Sequence, residues 1–147
     1  CCFGHRAIMN DVTATMALEQ YKKLPVYMEK RAHVHAYYDE HLRDLPWIDL
    51  PLPIPAENTT SYYFYHIQIT NGLRDQLAKY LRERGIYTTY RYFPLHRVPG
   101  YGVTEGSFPN ADYAADHTLC LPLHQSLTDE ELALIVDTIH EFGAKFC

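Results

Sequence analysis

The sequence predicts an α+β fold, a small sheet of three or four strands packed with helices. Three observations lead there. Hydrophobic residues make up 47% of 147 residues, enough for one core. Stretches with helical and strand periodicity alternate along the chain. The helical stretches are apolar on one side only, so they must cover something.

The first element is a helix from Asn10 to about Leu45. Asn10 suits the N-cap and Asp11 the positive end of the helix dipole. Val12, Met16, Gln20 and Leu24 share a mostly apolar face. Pro25 either kinks this helix or starts a second one, which would run from Val26 to Leu42 half-exposed. Pro46, Pro51, Pro53 and Pro55 then favour extended chain. Ser61–Thr70, rich in aromatic and β-branched residues, is the clearest strand. Leu73, Leu77, Tyr80 and Leu81 form one face of a helix closed by Gly85. Ile86–Phe93 reads as a second strand ended by Pro94. Leu95–Phe108 is a glycine- and proline-punctuated loop, a usual place for function. A short helix is expected from about Asn110 to Thr118, and a short strand at Leu119–Pro122. Thr128 and Glu131 form a capping box for the last helix, whose buried stripe is Leu132, Ile135, Val136 and Ile139.

Several function classes are argued against. Net charge is −5, the wrong sign for a nucleic-acid footprint. No apolar run approaches the roughly 20 residues of a membrane span. The opening Cys1-Cys2-Phe3-Gly4-His5-Arg6 has no signal-peptide pattern, and a cytoplasmic protein is expected. It has no initiator methionine, which suggests processing or a piece of a longer protein. Cys1, Cys2, Cys120 and Cys147 have no metal-ligand spacing and read as free thiols; a Cys147 disulfide to the first pair has no support. His33 and His35 fall on different helix faces and His41 lies farther on, so no zinc site is expected. Dinucleotide, P-loop and Gly-x-Ser-x-Gly motifs are absent. The 13 tyrosines suggest an interface or pocket rim, or strands half-buried.

Four segments, in order, carry a resemblance that spans nearly the whole chain. Gly4–Ala14 is similar to a glycine-led "RM(T/N)D-I-x-A" stretch. Leu18–Leu24 resembles its "L-x-Q-L-x-x-L" continuation. Tyr87–His96 resembles a strand and turn ending "HY-x-PLH" or "RYF-x-PL". Ala111–His124, with Leu127–Glu130, resembles "A-E-x-x-x-x-x-LPLH-x-x-L-(T/S)-D-E". Each is weak alone, and the ordered set is specific. Together they resemble the C-terminal part of the DegT/DnrJ/StrS family of pyridoxal-phosphate (PLP)-dependent sugar aminotransferases.

The resemblance implies the C-terminal small domain of a fold-type-I aminotransferase. Residues 1–45 would be a helical arm leading to a missing PLP-binding domain, and residues 46–147 the small α/β domain. The complete enzyme would be a homodimer that moves an amino group, typically from glutamate, to a nucleotide-linked keto-sugar. PLP would be its cofactor, with none expected on the isolated chain. The family's Schiff-base lysine lies upstream in a motif missing here, and the five lysines Lys22, Lys23, Lys30, Lys79 and Lys145 read as surface residues. No catalytic residue is therefore assigned, and the isolated chain is expected to be inactive.

Peripheral site residues remain. By resemblance, Asn10 approaches the PLP phosphate or the sugar nucleotide of the opposite subunit, unless it is simply a cap. Ala7 and Ile8 stand where the family usually has a polar or basic residue, which weakens a phosphate role. Arg91, Tyr92 and His96 are the substrate-binding candidates. Arg91 replaces a common family histidine and can grip a phosphate or carboxylate. Tyr92 can face the sugar. His96 can donate to a hydroxyl or order the loop, and His124 reads as a turn cap. Two other readings stay open: a freestanding module that dimerises or binds a nucleotide-sugar without catalysis, and a remnant with no selected role. Homodimerisation is expected through Met9, Val12, Met16 and Leu24.

Overall fold

The computed structural model describes residues 8–102 and 108–147. Cys1, Cys2 and the first residues of the "RM(T/N)D"-like stretch lie outside them. Helix α1 (Asp11–Leu42) is followed by strands β1 (Ile48–Asp49) and β2 (Tyr65–Ile69), then by helix α2 (Arg74–Glu83). Two short 3-10 turns, Leu95–Arg97 and Pro99–Tyr101, precede helix α3 (Pro109–His117), strand β3 (Thr118–Leu121) and helix α4 (Asp129–Phe146). The sheet has three strands in the order β1-β2-β3, antiparallel throughout. This is the expected α+β fold.

α1 runs unbroken through Pro25. The proline leaves the Tyr21 carbonyl without its helical donor, and both residues lie on an exposed stretch where water can replace it. Asn10 caps the start, its side chain accepting from the Thr13 amide at 2.9 Å. Among the described residues, the helix meets the rest of the molecule along its second half, burying Val34, Tyr38 and Leu42. Ile8, Met9, Val12, Met16, Tyr21, Leu24 and Val26 are exposed, so the first half of α1 projects as an apolar-studded arm.

The core forms where α1, α2 and α4 meet the sheet. Tyr65, Ile67 and Ile69 point inward from β2 with period 2. Leu77 and Leu81 come from α2, and Leu132, Ile139 and Phe142 from α4. The two buried tyrosines at the α1–sheet contact have found partners. Tyr38 donates to the Pro122 carbonyl at 2.8 Å and Tyr65 to Asp39 at 2.7 Å. Burial raises both phenols above their ordinary range, and Asp39 adds to the effect at Tyr65. The capping box at Thr128 and Glu131 is fully formed. A Cβ at position 143 would lie 3.0 Å from the Trp47 ring, so Gly143 lets the indole lie against α4.

One expectation for a strand is corrected. Ile86–Phe93 forms no strand. It meets β3 at a single bridge, Thr89 to Cys120, with hydrogen bonds of 3.1 and 2.8 Å. Ile86 alone in this segment is buried, while Tyr87, Tyr90, Tyr92 and Phe93 face outward. Without a buried alternate face the segment has nothing to hold it in register. Conversely, β1 forms inside the proline-rich stretch, where Ile48 and Asp49 pair with Ile69 and Gln68.

Candidate functional site

The candidate site lies along the segment that leaves the sheet after Thr89. Two clefts open on Arg91. The larger, of 530 Å³, lies between Gly85–Thr89, the end of β3 and the first half of α4. Its wall is mainly apolar, with Ile86, Leu121, Leu127 and Ile135, and Cys120 also borders it. Burial raises the Cys120 thiol above its ordinary range, so it stays protonated. The smaller cleft, of 320 Å³, gathers Arg74, Arg91 and Arg97 with Tyr90, Tyr92 and Asp116.

These three arginines are not equivalent. Arg74 donates to Asp75 at 2.8 Å and to the Ala115 carbonyl, with its guanidinium 4.6 Å from the centre of the Tyr90 ring. Arg97 is spent on carboxylates, with Nε 2.7 Å from Asp112 and Nη1 3.2 Å from Asp116. Arg91 makes no ion pair among the described residues. Its Nη1 donates to the Tyr63 hydroxyl at 2.8 Å, with the Tyr92 hydroxyl at 3.5 Å. Tyr92 and Arg91 together hold the Tyr63 phenol below its ordinary range. A guanidinium satisfied only by phenols keeps donors and charge free for an incoming anion.

The structure brings Arg91 and Tyr92 together and separates the other two candidates from them. His96 is buried. Its Nε2 lies 2.7 Å from Asp112 and its ring 5.1 Å from Phe108. It borders neither cleft. Asn10 is exposed at the far end of α1, about 36 Å along the helix axis from Val34 at 1.5 Å per residue. Within one chain it cannot meet Arg91. His124 accepts from the Ser126 amide at 3.3 Å, a turn-capping contact, and also borders the larger cleft.

Sequence reasoning missed Tyr63, Arg74, Arg97 and Asp112. Tyr63 sat inside the expected strand, where period 2 would bury it beside Tyr65. Instead the strand begins only at Tyr65, Tyr62 takes a positive φ of 46°, and Tyr63 is exposed. The only available signal was the resemblance at Ala111–Asp112, which marked that acidic residue without giving its partner.

The model of the DegT/DnrJ/EryC1/StrS aminotransferase family matches residues 2–140. The chain belongs to this family. It is 43% identical over 134 residues to the dTDP-4-dehydro-2,3,6-trideoxy-D-glucose 4-aminotransferase of Saccharopolyspora spinosa, a match covering 91% of the chain and 34% of that relative. The aminotransferase TlmJ of Streptoalloteichus hindustanus superposes with a TM-score of 0.93 at 41% identity, covering 99% of this chain and 40% of its own. S. venezuelae DesV, solved with a ketimine intermediate, gives 0.85 at 27% identity over 92% and 37%. The chain thus spans about a third of the length of the curated relatives it matches.

Members of the DegT/DnrJ/EryC1/StrS family are PLP-dependent. The residues of this chain do not fit the anchoring that PLP requires. All five lysines are exposed on helices, and none borders either cleft at Arg91. Lys79 borders a third recess of 190 Å³ but points outward beside Glu83. No helix among the described residues is long and apolar enough to cross a membrane.

Proposed function

We propose that this chain is the C-terminal small domain of a nucleotide-sugar aminotransferase, with Arg91 and Tyr92 facing the nucleotide-linked keto-sugar. The observation that carries this reading is the uncommitted guanidinium of Arg91 in a chain of this family. Anionic nucleotide-sugars need such a donor, and Tyr92 beside it offers a ring and a hydroxyl. Of the two roles open to His96, ordering the loop is the one its contacts support. Residues 46–147 form the small domain, and the arm within 1–45 leads toward the part that holds PLP. Asn10, at the arm's tip, would serve the opposite subunit. The chain alone performs no transamination, because no lysine reaches the site, and the assembled enzyme works in the cytoplasm.

The test is a fusion. The chain would replace the C-terminal third of the Saccharopolyspora spinosa relative, leaving that protein's upstream part intact. Amino transfer from glutamate to a dTDP-linked keto-sugar is expected from the fusion and none from the chain alone, both read by product mass. A folded, PLP-loaded fusion without turnover would falsify the reading, as would turnover by the unfused chain.

The exposed arm favours self-association as part of the same reading. Met9, Val12 and Met16 are each more than half exposed, an apolar run that a monomer leaves in water. Light scattering on the purified chain is expected to give twice the monomer mass. A monomer at high concentration would remove the homodimer from the proposal.

A further inference from the structure

The segment carrying Arg91 has little sheet to hold it. Its last backbone bridge to the sheet is Thr89–Cys120, the Arg91 amide reaches only the Cys120 thiol, and Tyr90, Tyr92 and Phe93 are exposed. The next fixed point is the 3-10 turn Leu95–Arg97, which is fastened from outside the segment. Asp112, on the first turns of α3, accepts from His96 Nε2 and from Arg97 Nε, each at 2.7 Å through the same oxygen. Asp116, one helical turn later, takes the other end of the Arg97 guanidinium at 3.2 and 3.4 Å. The clasp is partly dry: the His96 side chain is 6% exposed and that of Asp112 18%. His96 and Arg97 together hold the Asp112 carboxyl below its ordinary range. Arg97 and Asp116 also border the cleft that Arg91 enters.

We propose that Asp112 is a positioning residue for Arg91. Its carboxylate, shared between His96 and Arg97, fixes the downstream end of the Tyr90–Arg97 segment, while the Thr89 bridge fixes the upstream end. Arg91 is thereby held against Tyr63 with its remaining donors toward the clefts. Neither anchor suffices alone, because the segment between them has no ladder hydrogen bonds to set its course. This inference rests on the reading of Arg91 as the anion-gripping residue.

The experiment compares the wild-type 147-residue chain with Asp112→Asn, Asp112→Glu and Arg91→Met. Two readouts are taken on folded protein, with folding checked by circular dichroism. The first is the titration midpoint of Tyr63 by ¹³C NMR on labelled tyrosine. The second is affinity for inorganic pyrophosphate by calorimetry. In Asp112→Asn the Tyr63 midpoint is expected to rise toward that of Arg91→Met, and pyrophosphate affinity to fall at least about fivefold, about 1 kcal/mol. Asp112→Glu, which keeps the charge, is expected to recover part of both. A folded Asp112→Asn protein with wild-type Tyr63 titration would overturn the positioning role, whether or not pyrophosphate binds. Pyrophosphate binding that survives Arg91→Met would overturn the anion-gripping reading, and the inference with it. A fall in melting temperature with both readouts unchanged would make Asp112 a structural residue only and overturn the proposal.

Discussion

Phe142→Ala is expected to lower the unfolding free energy by about 3–5 kcal/mol, read as a fall in the urea midpoint with little change in slope. Phe142 is fully buried on α4. Its ring lies 5.8 Å from Trp47, 5.4 Å from Tyr80 and 4.9 Å from Phe146, centre to centre. Trp47 precedes β1, Tyr80 belongs to α2, and Phe146 closes α4. One side chain therefore joins three parts of the fold. Deleting it loses the transfer free energy of the ring and leaves a cavity whose walls are large aromatics. Those walls are fastened elsewhere: the carbonyl of Trp47 accepts from the Thr70 amide at 3.0 Å. They cannot collapse freely, so the cost falls toward the upper end of the range. Against a typical total of about 5–15 kcal/mol, the loss is a large fraction of the stability. Leu134→Ala on the same helix is the control. Leu134 is 53% exposed, and a change of about 0.5 kcal/mol or less is expected there. Equal losses in the two variants would mean that α4 is not seated as described.

How far the sequence specified this fold depends on how local the determining interaction is. The start of α4 was legible because Thr128 and Glu131 exchange their hydrogen bonds across three residues, at 3.2 and 3.0 Å. The end of α2 was legible because Gly85 takes a positive φ of 79° just beyond it. Periodicity likewise placed the buried stripe of α4, and residue type placed β2. The segment Ile86–Phe93 misled because its residue types favour strand, whereas strand formation requires a buried face, which only tertiary structure can supply. β1 was hidden for the opposite reason: it is two residues long, lies between prolines, and exists only because β2 passes beside it.

The site divides in the same way. Arg91 and Tyr92 were identifiable from residue type and from the resemblance around them. What makes Arg91 different from Arg74 and Arg97 was not, because side-chain pairing, near or far along the chain, is settled by the fold. Arg97 finds Asp112 and Asp116, Arg74 finds Asp75 and the Ala115 carbonyl, and Arg91 finds only hydroxyls among the described residues. As residue types the three arginines are alike. Their neutralisation, which folding decides, is what sets Arg91 apart chemically.

That difference sets the size of the second expected effect. In the fusion described above, Arg91→Met should lower kcat/KM for the nucleotide-linked keto-sugar by roughly 30- to 1,000-fold, about 2–4 kcal/mol of transition-state binding. Methionine keeps much of the stem and removes charge and donors together. Arg91→Lys should fall between, since an ammonium restores charge without the planar fork. Removing Arg91 should cost little stability, because it breaks no ion pair among the described residues and strips only a hydrogen bond from an exposed phenol. Arg74→Met is the informative comparison. Arg74 lies in the same cleft, but its donors are already taken by Asp75 and Ala115. It should therefore lose stability and retain most of its kcat/KM. If the two arginines behaved alike, proximity to the cleft would be all that mattered, and freedom from a carboxylate partner would not be what suits Arg91 to an anion.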